Sequence, residues 1–441
     1  MNILRKKDIY LDNAACTMVD LNIVKKINKI EKKLFANSSG IHKMGLYSLN
    51  VLNESRISVA RNLNAHKDEI FFAGSGTESV AIAILGTIYN FHEKNPNSKI
   101  LPHIITSNIE HSAVIENCRL LEKRKQAEIT YIACDENGIV NPKDIKKALK
   151  ENTILVSIMY ANNEIGTIQP IQEIAKEIRY FKKNRNIGKD IATEEHGYFS
   201  TEKFLVLEPS LSQVTSVSTS FPVLHTDACQ AMNYLFTENI EKLGVDMMSF
   251  NSSKIYGGNG IGCLYKKRSV EISPVYGGGG QENNLRSGTE NVAGVLGLSL
   301  ALEITNKIKD KESARLIKIR DYAIEESLSL SVSSGYEIIL NGSKENRLPN
   351  NINISVFGIS SELLVIELDA KGIMVSERSA CASDQEGSSH VIRALRSAQN
   401  KKVDETSGAL RITLGRQTIK KDIDTLVKNL SQILEKYKKW K

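Results

Sequence analysis

Short apolar runs alternate with longer amphipathic runs along most of the first 310 residues. The apolar runs have the length of β-strands and lie at residues 69–73, 103–107, 128–133, 154–160, 222–226, 247–250 and 260–265. Helical periodicity fills most of the gaps, for example at 78–90 and 171–183. This alternation predicts an α/β fold, with a mostly parallel sheet covered by helices on both faces.

The pattern changes in two places. Residues 184–221 form a largely polar segment with a Ser/Thr-rich tract, where such connections usually take about 2–6 residues. We expect a surface insertion there, with partner binding as the alternative. A long helical run follows at 301–329. The 441 residues exceed one compact core, so we predict a large domain at 16–310 and a smaller α+β domain from 1–15 and 311–441.

Composition excludes several classes of protein. Apolar residues make up 41% and charged residues 25%, and a net charge of +7 is spread along the chain, which is typical of an ordinary globular protein without a nucleic-acid surface. The six cysteines form no C-x-x-C pair and no zinc-finger spacing, which indicates a reducing compartment without structural metal. No secretion signal or apolar stretch of membrane-spanning length is present. We therefore expect a cytoplasmic location and no membrane partner.

Polar residues directly follow five of the predicted strands. If the sheet is parallel, all five groups lie along one rim, where ligands bind in open α/β sheets. The groups are Thr77 with Glu78, Glu110 with His111, Asn162 with Asn163, Asp227 with Gln230, and Lys254.

Lys254 and Asp227 together suggest an aldehyde cofactor. A lysine can form an imine, and an aspartate can keep a pyridine nitrogen protonated, as pyridoxal 5′-phosphate chemistry requires. Taken singly, Lys254 would be a surface lysine and Asp227 a helix N-cap. Gly74-Ser75-Gly76-Thr77 could bind an anion at a helix N-terminus or be an ordinary turn. His111 could cap a helix, stack on a flat ring or move a proton.

Two further residues lie beyond the large domain. Cys381 follows Arg378 in a polar stretch typical of an exposed loop, so it could be a reactive thiol, although free cysteines are more often buried. Arg411 is a lone cation in a strand-like run. It could bind a substrate carboxylate, or a structural Asp or Glu.

The motifs together resemble the cysteine desulfurases of the NifS/IscS-like branch, which are class V aminotransferases with the type I fold of pyridoxal phosphate enzymes. The resemblance covers nearly the whole chain apart from the insertion. It rests on Tyr10-Leu11-Asp12-Asn13-Ala14-Ala15, Thr77-Glu78-Ser79, Glu110-His111, Asn162-Asn163-Glu164-Ile165-Gly166, Asp227-Ala228-Cys229-Gln230, Lys254-Ile255-Tyr256-Gly257, Arg286-Ser287-Gly288-Thr289, Ser379-Ala380-Cys381 and Leu414-Gly415-Arg416.

The resemblance implies a role for each matched residue. Lys254 would bind the cofactor aldehyde covalently, Asp227 would pair with the pyridinium nitrogen, Gln230 would contact the ring hydroxyl, and His111 would stack on the ring. The phosphate would be held by Gly76, Thr77, Asn251 and Ser253, with Thr289 from the second subunit of a homodimer. Asn163 and Arg411 would hold the substrate carboxylate, and Cys381 would be the nucleophile.

The implied enzyme removes sulfur from L-cysteine, releases L-alanine and passes a persulfide sulfur to a protein acceptor, such as an iron–sulfur scaffold or a tRNA-thiolation protein. The chain departs from the family pattern at Ser253, where histidine is usual, and at Asn251, where serine is usual. These changes could weaken phosphate binding. Two alternatives therefore stay open at this point: a selenocysteine lyase on the same fold, and a degenerate, non-catalytic homologue that acts as a binding partner.

Overall fold

The computed structural model describes residues 8–194, 221–377, 389–400 and 409–439. The helices are α1 Leu21–Glu31, α2 Lys43–Leu63, α3 Gly76–Lys94, α4 Ser112–Lys123, α5 Pro142–Ala148, α6 Ile171–Glu194, α7 Ile240–Leu243, α8 Val292–Ser334, α9 Ser361–Asp369, α10 His390–Ala398 and α11 Lys420–Lys438. The strands are β1 Ile9–Tyr10, β2 Ile70–Ala73, β3 His103–Ser107, β4 Glu128–Ile132, β5 Thr153–Ser157, β6 Val223–Asp227, β7 Met247–Asn251, β8 Gly262–Lys266, β9 Ile338–Leu340, β10 Asn351–Val356, β11 Ile373–Met374 and β12 Ala409–Thr413.

Seven strands form the central sheet, in the order β2-β8-β7-β6-β5-β3-β4. The pairs from β7 to β4 are parallel, while β8 runs antiparallel to both β7 and β2. Because β2 and β7 both run antiparallel to β8, β2 points the same way as the five parallel strands. The predicted α/β fold with a mostly parallel sheet is confirmed.

Alternate residues of each strand pack on opposite faces of this sheet, as the period of a β-strand requires. Phe72 packs in a cluster with residues of α2, α6 and α8, whereas its neighbour Phe71 packs in a second cluster with residues of α3 and α4. Both phenylalanines are almost fully buried. Strands covered on both faces read as continuous apolar runs, which is why they stand out in the sequence.

A third apolar cluster gathers the C-terminal part of the chain. It contains Leu11, the second half of α8 from Leu316 onwards, and residues of α9, α11, β10 and β12. The sheet-packed cluster reaches only to Leu302 on the same helix. We propose that the two clusters on the central sheet form the core of the large domain and that the third cluster is the core of the smaller one. The two domains would then meet within α8.

The predicted strand positions agree with the structure to within a few residues, but the predicted end of one helix is wrong. Helix α6 does not end near Lys183; it continues to Glu194. Residues 184–194 are mostly polar, so the apolar periodicity of the sequence does not extend the predicted helix across them. Of the predicted insertion, residues 195–220 lie outside the described ranges.

Candidate active site

The carboxyl ends of β2, β3, β5, β6 and β7 meet at one edge of the central sheet, as the sequence predicts. At least one side chain at the end of each of these strands, or in the turn that follows it, lines a common cavity. The cavity wall comprises Ala14, Ala15, Ser75, Gly76, Thr77, His111, Ala113, Met159, Ala161, Asn163, Asp227, Cys229, Gln230, Asn251, Lys254 and Arg411.

Lys254 reaches this cavity from a single 3₁₀ turn, Ser252–Lys254, that follows β7. Its Nζ donates a hydrogen bond to the carbonyl oxygen of Ala15, in the N-terminal segment. That segment also holds the turn in place, because the backbone N–H and the hydroxyl of Thr17 both donate to the Ser253 carbonyl, at 2.9 and 2.8 Å. The amine is therefore directed into the site and is not a surface lysine.

Asp227 and Gln230 face the same cavity from the end of β6. Asp227 is 8% exposed, and its Oδ1 accepts the Cys229 N–H at 2.9 Å. Gln230 donates from Nε2 to the Ala14 carbonyl at 2.9 Å. The thiol of Cys229 also lines the cavity, and burial beside Asp227 raises its pKa well above the ordinary value. Thiol chemistry at Cys229 is therefore suppressed near neutral pH.

His111 takes the capping role that was considered from the sequence. It is the N-cap of α4, and its Nδ1 accepts the Ala113 N–H at 3.1 Å. Since Nδ1 is an acceptor, a neutral ring carries its proton on Nε2. The same imidazole lines the cavity, so the hydrogen bond to Ala113 fixes the orientation of a flat ring in the site.

The N-terminus of α3 forms another wall. A Cβ built on Gly76 would lie 2.9 Å from the Cys229 Sγ and 3.3 Å from the Asn251 Nδ2, so only glycine fits without displacement of its neighbours. Asn251 itself has a buried side-chain oxygen without a hydrogen-bond partner among the described residues. Backbone N–H groups and the partial positive charge at a helix N-terminus favour an anion at this position.

Arg411 enters the cavity from β12, at the far end of the chain. Its side chain is 1% exposed, donates from Nη2 to Asp12 Oδ1 at 2.8 Å and from Nη1 to the Asn163 carbonyl at 3.3 Å. Nε is buried without a partner in the described part of the structure. A buried guanidinium with an unpaired donor beside a cavity is suited to a ligand carboxylate, and Asp12 is its structural carboxylate partner.

Comparison with known proteins decides the family. The class-V aminotransferase model matches residues 9–185 and 215–426. The cysteine desulfurase IscS of Dictyoglomus turgidum is 39% identical over 431 residues, covering 98% of this chain and 95% of that protein. The chain belongs to the cysteine desulfurase family of class-V aminotransferases. The internal stretch without a family match, residues 186–214, lies within the predicted insertion.

Solved structures of desulfurase relatives agree with this assignment. A NifS-like protein superposes with a TM-score of 0.78 and 30% identity, covering 97% of this chain and 99% of that one. SspA in complex with cysteine superposes with a TM-score of 0.68 and 25% identity, covering 93% and 100%. The selenocysteine lyase and non-catalytic alternatives are not favoured by these comparisons.

The desulfurase cavity fits the cofactor of its family. Class-V aminotransferases use pyridoxal phosphate, which has an aldehyde, a ring nitrogen and a phosphate. The cavity offers Lys254 for the first, Asp227 for the second, and the glycine cradle at Gly76 for the third. The side-chain amide of Asn251 lies beside Gly76 at the same end of the cavity, and its Nδ2 is a donor suited to a phosphate oxygen.

Two predicted site residues do not line this desulfurase cavity, and a third lies outside the described residues. Ser253 contributes its backbone carbonyl to Thr17 and is absent from the cavity wall. Thr289 lines a separate, smaller cavity with Gly74 and Arg286. Cys381 lies outside the described residues. Their assigned roles as phosphate ligands and nucleophile remain predictions.

Sequence reasoning did not assign a role to Glu110 or Asp12. Glu110 is fully buried behind His111 and accepts from Ser107 Oγ at 2.5 Å and from the Met159 N–H at 3.0 and 3.1 Å. Burial raises the pKa of its carboxyl to about 8, although these hydrogen bonds act in the opposite direction. Position in the Glu110-His111 motif was the available signal, but burial of a carboxyl cannot be inferred from a motif.

Proposed function

We propose that this chain is a pyridoxal phosphate-dependent cysteine desulfurase that converts L-cysteine to L-alanine and retains the sulfur as a persulfide. The observation that carries the proposal is the convergence of Lys254, Asp227, His111 and Arg411 on one cavity of a desulfurase-family fold. An amine, a carboxylate, a flat ring and a guanidinium are the groups this reaction needs from the protein.

Each of these residues has a separate task. Lys254 would hold the cofactor covalently, Asp227 would keep its ring nitrogen protonated, and Gln230 would contact its ring hydroxyl. Gly76, Thr77 and Asn251, which line the cavity, would hold its phosphate. When bound, the cofactor withdraws electrons from the substrate carbon atoms.

Substrate positioning falls to Arg411 and Asn163. The guanidinium, with Nε unpaired, would bind the cysteine carboxylate, and Asn163, which is 7% exposed, lies beside it. Lys254 Nζ would then accept the proton from the substrate Cα. His111 Nε2, which is free of the cap interaction, is available to move a second proton.

Sulfur transfer would be carried out by Cys381. Its thiolate attacks the substrate Sγ, the Sγ–Cβ bond breaks with its electron pair on the carbon side, and protonation of that carbon yields alanine. The persulfide on Cys381 retains the sulfur, so no external oxidant is needed. A protein acceptor, such as an iron–sulfur scaffold or a tRNA-thiolation protein, would then remove the sulfur.

A homodimer is part of the proposal. Four large apolar side chains are exposed between α1 and the first half of α2: Phe35 at 76%, Ile41 at 93%, Leu46 at 53% and Leu49 at 37%. Such a concentration of exposed apolar surface is typical of an interface. A second subunit there would also explain why Thr289 lies outside its own chain's main cavity. We expect Leu46→Asp to shift the protein towards monomer in analytical ultracentrifugation.

The decisive test is a single turnover with cysteine. The absorption spectrum of the purified protein, recorded with pyridoxal phosphate before and after cysteine, should change, and one alanine per active site should form. Cys381→Ser should form no persulfide and little alanine. Cys118→Ser is the control, because the Cys118 thiol is buried and has no role in the proposed reaction. Alanine formation by Cys381→Ser at the wild-type rate would refute the nucleophile assignment.

A further inference from the structure

The carboxylate of Glu78 joins two separate segments beside the active site. It lies in the first turn of α3, and its Oε2 accepts the backbone N–H of Gly74, at the start of the turn that precedes the helix. Its Oε1 accepts the Tyr276 hydroxyl at 2.5 Å and the Arg286 Nε at 2.9 Å. One side chain therefore links the Gly74–Thr77 turn to the loop at 276–289.

The first of these segments is the proposed phosphate cradle. Ser75 caps α3 by accepting the Glu78 N–H at 3.0 Å, so Glu78 is bound to the turn through both its backbone and its side chain. This arrangement fixes the chain on either side of Gly76 and Thr77. The backbone N–H groups of that turn can then point at an anion without further ordering.

The second segment carries Thr289, the residue expected to contact the phosphate of the other subunit. Besides the Glu78 contact, Arg286 Nη1 lies 3.5 Å from the Gly288 carbonyl, and the Gly288 N–H donates to Gln281 Oε1 at 2.9 Å. The loop is thus ordered from Arg286 up to the residue that precedes Thr289.

A second carboxylate secures the same loop a few residues earlier. Glu282, with a side chain 1% exposed, pairs with Arg56 at 2.6 Å and accepts the Phe72 N–H at 2.9 Å. Glu282, Asn283 and Asn284 all have positive φ values, of 49°, 55° and 64°. Non-glycine residues adopt this conformation at a cost, so the loop keeps its shape because both carboxylates hold it.

The charge of Glu78 is maintained in this setting. Burial alone would raise the pKa of its carboxyl, but hydrogen bonds from Arg286, Tyr276 and the Gly74 N–H lower it below the ordinary value. Glu78 and Arg286 are each 22% exposed. The ionised carboxylate also matches the positive end of α3, and it pairs with the Arg286 guanidinium.

We propose that Glu78 is a positioning residue for the cofactor phosphates of the dimer: it fixes the Gly76–Thr77 turn at the phosphate of its own subunit and, through Arg286, the Thr289 loop that would reach the phosphate of the second subunit. The inference rests on the proposed function, because it presupposes that pyridoxal phosphate binds in the main cavity. Correct positioning of the α3 turn matters more in this chain than in one with the usual histidine, because Ser253 stands at that position and does not line the cavity. Phosphate binding therefore depends more heavily on the α3 turn.

The test compares Glu78→Gln with wild type and with Glu303→Gln, an exposed glutamate paired with Lys307 on α8. Glutamine is uncharged and has one acceptor oxygen in place of two, so it loses either the Gly74 contact or the shared contact to Tyr276 and Arg286 Nε, which Glu78 makes through separate oxygens. We expect the dissociation constant of pyridoxal phosphate, from absorbance titration of the cofactor-free protein, to rise about tenfold in Glu78→Gln only. The phosphorus NMR signal of the bound phosphate should shift, while kcat at saturating cofactor should stay within about twofold.

Coupling through Arg286 supplies a second measurement that does not depend on one variant folding well. Arg286→Gln should weaken cofactor binding by a similar factor, and the double variant should be no weaker than either single variant. Tyr276→Phe, which keeps all charges, should weaken binding by about twofold.

Unchanged cofactor affinity and phosphorus signal in Glu78→Gln, or fully additive effects with Arg286→Gln, would overturn the inference. So would a large loss of kcat at saturating cofactor without a loss of affinity. Wild-type protein that binds no pyridoxal phosphate would instead refute the proposed function.

Discussion

The Glu110→Gln variant tests directly whether the buried carboxyl next to His111 is protonated in the folded protein. The pKa of Glu110 is raised from 4.5 to about 8 in the folded protein, chiefly by burial. The native state therefore keeps a proton that the unfolded chain releases near pH 4.5. Stability from this group is fully present below that value and is lost as the pH rises towards 8. Glutamine has nearly the same shape and never ionises.

The size of the effect follows from the two pKa values. Between pH 5.5 and 7.5 the native state holds nearly one proton more than the unfolded state. Each pH unit of increase therefore lowers the free energy of unfolding by about 1.4 kcal/mol. Wild type should lose about 2.5 kcal/mol over this range through Glu110. In Glu110→Gln this contribution should vanish, whatever the absolute stability of the variant.

Urea unfolding of the cofactor-free protein, followed by circular dichroism at both pH values, measures the difference. Glu116→Gln, an exposed glutamate one turn further along α4, should keep the wild-type pH dependence. Equal losses of stability in wild type and Glu110→Gln would show that the carboxyl is ionised throughout, and the argument from burial would then be wrong.

Three further substitutions test the cavity itself. Gly76→Ala should weaken pyridoxal phosphate binding by at least tenfold in an absorbance titration, whereas Gly277→Ala, where a Cβ meets nothing within 4 Å, should leave it unchanged; equal effects would contradict a steric cradle. Arg411→Lys should raise the KM for cysteine about tenfold or more with a smaller change in kcat, since an ammonium cannot reproduce the guanidinium geometry; an unchanged KM in an alanine-formation assay would remove the carboxylate role. Lys254→Ala should abolish alanine formation and the covalent cofactor adduct seen by mass spectrometry after borohydride reduction, and a persisting adduct would place the imine on another lysine.

Local sequence determined the strands and the rim on which the site is built. Parallel strands buried on both faces are nearly continuously apolar, so the strands at 103–107 and 247–250 could be predicted from the sequence. The polar residues that follow such strands lie at the same edge of the sheet. That rule alone placed His111, Asp227 and Lys254 together. The full extent of α6 could not be predicted, because residues 184–194 are mostly polar and show little apolar periodicity.

Tertiary structure decided which distant groups complete the site. Asp12 and Arg411 meet across 399 positions of sequence, and the amine of Lys254 is held by Ala15 across 239. No local pattern encodes such contacts, since they depend on how β12 and the N-terminal segment pack against the rim. Burial of Glu110 and the junction at Glu78 are of the same kind: their chemistry comes from neighbours that only the folded chain supplies.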